Sequence, residues 1–211
     1  MNIPRFGYPE TCNTCETLGD SGRSLKVKPF YKPGGSFRLV IVGQDPTIRR
    51  SPERVTHVLM LDQPQGQLSR WLRGLLGSAF DHATIYATNV VKCSFSRPPS
   101  EMEPSGLSFL RPYARNCRTY LAQEVAAFQP SLLLTLGEPS HILFREALDD
   151  PDIVPDRMQE AFTGTFRQVS IEGVRFNYSP CLHIQTFRVA ETYGPLVAQF
   201  KAGLREALAE S

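Results

Sequence analysis

The sequence has little net charge, no long apolar run and no internal repeat. Across 211 residues, 23 Lys and Arg stand against 21 Asp and Glu, a formal charge of +2. Bulk charge therefore does not mark a nucleic-acid binder, and any basic surface has to come from local clusters such as Arg49 and Arg50, or Arg70 and Arg73. No stretch approaches the ~20 apolar residues of a membrane-spanning helix. The opening M-N-I-P-R-F has no apolar segment of the kind a secretory leader carries. These absences lead to the expectation of a cytoplasmic monomer without membrane contact. What is present is enough apolar material for a core, 41% of residues, and a length that suits one domain over residues 1–211.

Five cysteines are present, and four of them form two clusters. Cys12 and Cys15 make a C-x-x-C near the N-terminus, and Cys93 and Cys117 bracket a Pro-containing loop in mid-chain. C-x-x-C directs two thiolates into one small volume, and two more from a distant segment complete a four-thiolate set. Such a set suits zinc or an iron–sulfur cluster. In a reducing compartment a disulfide is the lesser alternative, as are scattered buried thiols. Cys181 lies outside the pattern.

Residues 37–43 (F-R-L-V-I-V-G), 84–91 (T-I-Y-A-T-N-V-V) and 131–137 (S-L-L-L-T-L-G) are short apolar runs of buried-strand character. Residues 44–65 read as a long polar loop, a feature that is usually functional in a compact domain. Residues 67–76 place Leu68, Trp71, Leu72, Leu75 and Leu76 at helical spacing and leave Arg70 and Arg73 outward. Residues 112–128 predict a helix with Pro112 in its first turn, 138–148 a second and 193–209 a closing one. Glu172-Gly173 marks a hairpin between 165–169 and 174–178. Strands apolar throughout and alternating with helices imply an α/β fold, three layers α/β/α around a central, mostly parallel four-stranded sheet. Ligands of such sheets bind beyond the carboxyl ends of the strands. The candidate loops are therefore Gly43-Gln44-Asp45-Pro46, Asn89 and its followers, Gly137-Glu138, and residues 179–183.

Those loops resemble the uracil-DNA glycosylase superfamily. G-Q-D-P at 43–46 is similar to its first motif. T-N-V-V-K-C at 88–93, followed by Pro98 and Pro99, resembles the iron–sulfur-containing branch often called family 4, whose N-terminal C-x-x-C and two later cysteines bind a [4Fe–4S] cluster. Cys12, Cys15, Cys93 and Cys117 fall in the same order, so the resemblance implies the cluster over zinc. The sequence also departs from the pattern. Where active members carry His-Pro-Ser, this chain has Ser179-Pro180-Cys181, with His183 two residues further on. Thr47 stands where the Gln-Asp branch has a tyrosine that excludes thymine, and residues 55–61 lack the aromatic ring on which a flipped base stacks.

The resemblance implies hydrolysis of the N-glycosidic bond of uracil, or of another deaminated or modified base, in DNA. Positive charge then builds on the sugar and negative charge on the departing base. Asp45 is the expected carboxylate beside the anomeric carbon, although a turn-capping Asp fits the same spacing. Gln44, Pro46, Thr47 and Asn89 are the expected base-binding residues, Asn89 offering both an acceptor and a donor to a flipped base. His183 and Ser179 are candidates for steadying the leaving base. Arg49, Arg50 and Arg188 are candidates for phosphate contacts, and Lys92 contacts phosphate, lies near the cluster or is a solvated lysine. The competing readings are a non-catalytic nucleic-acid-binding member of the same fold and an unrelated α/β zinc enzyme.

Overall fold

The computed structural model describes residues 6–19, 27–46, 55–183 and 190–210, with residues 190–192 as backbone only. Six strands form one sheet: β1 (Phe30–Lys32), β2 (Arg38–Gly43), β3 (Thr84–Asn89), β4 (Leu132–Leu136), β5 (Arg167–Ile171) and β6 (Val174–Cys181), in the order β1-β3-β2-β4-β6-β5. The middle four are mutually parallel, and β1 and β5 close the edges antiparallel to β3 and β6. The sheet is thus mixed and six-stranded rather than four-stranded. β1 has only three half-buried residues, too short and too polar to stand out as an apolar run.

The parallel strands are apolar on both faces because helices cover both. Leu39, Ile41, Ile85, Ala87, Leu132 and Leu134 pack against α1 (Gln67–Leu76), α2 (Ser78–His82) and α6 (Ala190–Ala209) through Leu72, Leu75, Phe80, Phe200 and Leu204. Val40, Val42, Tyr86, Leu133 and Tyr178 face the other way, onto α3 (Leu107–Phe128) and α4 (Glu138–Arg145), through Leu121, Val125, Phe128 and Phe144. Each fully buried Leu, Ile or Val contributes ~1.5–3 kcal/mol relative to exposure, which makes this double layer the main source of stability. A four-residue helix, α5 (Met158–Ala161), lies between α4 and β5.

Helix α1 has the predicted bounds, with Arg70 and Arg73 exposed. Arg73 lies over the Phe80 ring at 4.3 Å and pairs with Asp81 at 3.4 Å. Helix α3 begins five residues earlier than predicted, so Pro112 is its sixth residue rather than part of its first turn. Burial of Phe109 and Leu110 against the core draws the chain into the helix before the proline. β6 runs three residues past the predicted strand and takes Ser179, Pro180 and Cys181 into the sheet beside Leu134, Thr135 and Leu136. Among the described residues no helix is long and apolar enough to cross a membrane.

Candidate active site

The strand order reverses at β2, whose carboxyl end is flanked by those of β3 and β4. A cavity of about 470 Å³ opens there, lined by Gly43, Gln44 and Asp45 after β2, Leu136, Gly137, Glu138 and Pro139 after β4, His183 after β6, and Leu59 and Leu68. This is the crevice expected of a parallel sheet, and its size is ordinary for a small-molecule site.

Asp45 is 8% exposed, and Gln44 Nε2 donates to its Oδ1 at 2.8 Å. The two residues named for adjacent roles are thus joined, the amide steering the carboxylate. Their loop is anchored to its neighbour beyond the strand ends: Val90 N–H donates to Gly43 O and Val91 N–H to Gln44 O, both at 2.9 Å. Pro46 is buried in this loop and is not part of the cavity wall.

Asn89 ends β3, opposite Gly43. It is 2% exposed, and its Oδ1 is a buried acceptor with no hydrogen-bond partner among the described residues. Buried acceptors are nearly always satisfied, so each exception calls for an explanation. Its side-chain oxygen occupies the space that a Cβ on residue 43 would need, with Leu59 Cδ2 3.0 Å from the same point. Asn89 therefore stands directly behind Gly43, which itself lines the cavity.

His183 is exposed at the rim, where Gly137, at φ +82°, lets the backbone pass close: a Cβ there would lie 3.4 Å from that of His183. Partial burial of the ring lowers its pKa below the usual imidazole value. His183 also borders a second cavity of about 140 Å³, shared with Glu138 and closed by Met158 and Tyr193. Glu138 opens α4 and accepts from Met158 N–H at 3.4 Å. It adds a second carboxylate to the wall. Its position after the strand 131–137 was readable; its side chain's place was not.

Ser179 does not join these residues. It is fully buried within β6, and its hydroxyl donates to Pro180 O at 2.9 Å. Continued pairing with β4 turns it into the sheet. Thr47, Arg49, Arg50 and Arg188 lie outside the described residues. Lys92 is neither a solvated lysine nor placed to touch phosphate: it is 1% exposed and ion-paired with Glu124 of α3. The sequence carries a signal for this partner, because Glu124 lies three residues after Leu121 and four before Phe128, on the buried face of α3.

The N-terminal cysteines dock against α3. Asn116 Nδ2 donates to Cys15 Sγ at 3.2 Å, and Tyr120 O–H donates to Cys12 Sγ at 3.6 Å. Cys117 lies between these two donors in sequence and receives the backbone N–H of Lys92, one residue before Cys93. Cys15, Cys93 and Cys117 are buried, and Cys12 is half-buried. Desolvation pushes the Cys117 thiol up to about 11, opposed by that amide and the Lys92 charge. Four sulfurs, three of them receiving a hydrogen bond from a neighbouring group, suit a thiolate-held group in their chemistry. Nevertheless, among the described residues no three His, Cys, Asp or Glu side chains are arranged to hold a metal ion.

Residues 29–192 match the profile of the Uracil DNA glycosylase superfamily. The chain belongs to that superfamily. The matched span contains all six strands of this superfamily member and every residue of the cavity wall, while Cys12 and Cys15 precede it. Membership sets aside the reading as an unrelated zinc enzyme. Comparison with curated proteins gives no match.

Proposed function

We propose that this protein is a DNA glycosylase that removes uracil, or another deaminated or modified base, by hydrolysing its N-glycosidic bond. The observation that carries the reading is one cavity at the strand ends that joins Asp45, its partner Gln44 and His183, with the unsatisfied Oδ1 of Asn89 behind Gly43.

The roles follow from charge. As the bond to the base lengthens, the sugar becomes cationic, and the Asp45 carboxylate steadies it and orients the attacking water. Gln44 keeps that carboxylate in one orientation. Asn89 reads the base edge, its oxygen accepting an N–H that no group among the described residues supplies. His183, neutral at pH 7 because burial lowers its pKa, donates an N–H to the base oxygen on which negative charge collects. Leu59 provides an aliphatic wall from a segment, 55–61, that holds no Phe or Tyr, which favours a pocket tolerant of more than uracil. DNA is the partner, with the target base flipped out of the stack and the protein acting as a monomer.

The same reading takes Cys12, Cys15, Cys93 and Cys117 as the ligands of a [4Fe–4S] cluster, with zinc as the alternative. Such a group would supply structural cross-linking of the N-terminal segment to α3 and no step at the base. Iron and acid-labile sulfide per chain, against zinc per chain, distinguish the two.

Excision is tested on oligonucleotides carrying uracil, hypoxanthine or xanthine, with Asp45→Asn and Asn89→Ala alongside. Strand breakage after alkali with wild type and its loss in both variants is the expected result. No excision from any of them would sink the reading. Tight binding to abasic or single-stranded DNA without turnover would favour a non-catalytic member of the superfamily, a reading motivated by the position of Ser179 away from the cavity.

A further inference from the structure

A buried polar network lies directly beneath Asn89. The Lys92 ammonium donates to Glu124 Oε2, to Thr88 Oγ1 at 2.8 Å and to the Asn89 backbone carbonyl at 2.7 Å. Glu124 Oε1 in turn accepts from Thr88 Oγ1 at 2.8 Å and from Tyr86 O–H. Lys92 and Glu124 are each 1% exposed, and the Tyr8 ring covers the ammonium at 5.5 Å. Three N–H donors meet three acceptors, so the lysine is fully satisfied.

A buried ion pair is seldom more stabilising than apolar packing of the same volume. What it adds is direction. Here one of its three arms ends on the carbonyl of Asn89. Val90 and Val91, the next two residues, are held from the opposite side by Gly43 O and Gln44 O. The turn 89–92 is thus clamped on both sides, with Asn89 Oδ1, a buried side-chain acceptor that has no partner among the described residues, against the cavity wall. Apolar packing would fill the same space without fixing the rotation of that peptide.

We propose that Lys92, held by Glu124, is a positioning residue that sets Asn89 for base recognition; this rests on the glycosylase reading above. Lys92 does not touch the substrate. Its backbone N–H also meets Cys117, so the same residue ties the cysteine-bearing end of the fold to the base-reading end.

The test is a cycle of Lys92→Met/Glu124→Gln, which removes both charges together, Asn89→Ala, and the triple variant. Each is assayed by single-turnover uracil excision and thermal melting, and the Asn89 side-chain amide signals are followed by NMR. Thr88→Val removes one acceptor, leaves the ion pair and serves the same readouts should the charge-free variant not fold. The proposal expects folded ion-pair variants to lose excision roughly 10- to 100-fold, with no further loss when Asn89→Ala is added, and with displaced Asn89 amide signals. Wild-type excision with unmoved signals, or losses that simply add, overturns it. If the wild type excises nothing, the glycosylase reading fails on its own, and the amide signals still decide whether Lys92 positions Asn89.

Discussion

The side-chain oxygen of Asn89 fills the volume that a Cβ on Gly43 would occupy. Residue 43 lies in extended strand β2, so its backbone does not demand glycine; the close approach of Asn89 does. Gly43→Ala should therefore cost ~1–3 kcal/mol through overpacking and reduce excision by displacing Asn89. Thermal melting and single-turnover kinetics on the same sample check both effects. Wild-type kinetics in the alanine variant would show that Asn89's position is immaterial.

Asp45→Asn should lower the rate of excision roughly 10²- to 10⁴-fold, the usual range for loss of a positioned acid or base. Binding of an abasic-site oligonucleotide should change much less, because Asn keeps the side chain's shape. Gln44→Ala should give a smaller loss in the same direction, since it removes only the 2.8 Å bond that orients Asp45.

His183→Ala should lower kcat about 10²- to 10³-fold, as loss of one donor to a developing oxyanion does. If Ser179→Ala proves as damaging to kcat without a change in melting temperature, the assignment of His183 over Ser179 fails.

His141 should make stability fall as the solution is acidified. It is fully buried, with Nδ1 2.7 Å from Tyr178 O–H and Nε2 2.8 Å from Pro155 O. The carbonyl requires Nε2–H, and burial favours the neutral ring, in which Nδ1 is left to accept from the tyrosine. Burial lowers its pKa below the ordinary 6.5. The folded state then binds fewer protons than the unfolded state, so stability is fully present above pH 6.5 and declines as pH falls from there through the folded value. Melting temperatures from pH 7.5 to 5 should drop less steeply in His141→Gln than in wild type.

Cys181 should resist alkylation. It is fully buried, and desolvation pushes its thiol up to about 12, while the thiolate is the reactive form. Iodoacetamide at pH 8 should leave it unmodified in the native protein and label it in denaturant, as read by mass spectrometry. Rapid native labelling would place it outside the core.

The central strands were readable because a strand buried on both faces needs apolar residues at every position. β2 and β4 therefore appear as unbroken runs. α1 was readable because only one of its faces is buried, so its period shows. The start of α3 was misread because a proline is a strong local signal, yet the packing of Phe109 and Leu110 outweighs it. β1 and the last three residues of β6 left no apolar run, since Ser179, Pro180 and Cys181 join the sheet through pairing with β4 rather than through their own propensities.

Local order along the chain was enough to place Asp45, Asn89 and His183 at or just past the ends of different strands, because the carboxyl ends of parallel strands and the loops that follow them share one edge of the sheet. Whether neighbouring side chains then meet depends on strand register and rotation, which arise from contacts between segments far apart in sequence. Folding therefore put Ser179 into the sheet and His183 on the cavity rim, although only three residues lie between them. It also buried Lys92 against Glu124, 32 residues away, and set the oxygen of Asn89 into the space that Gly43 leaves empty.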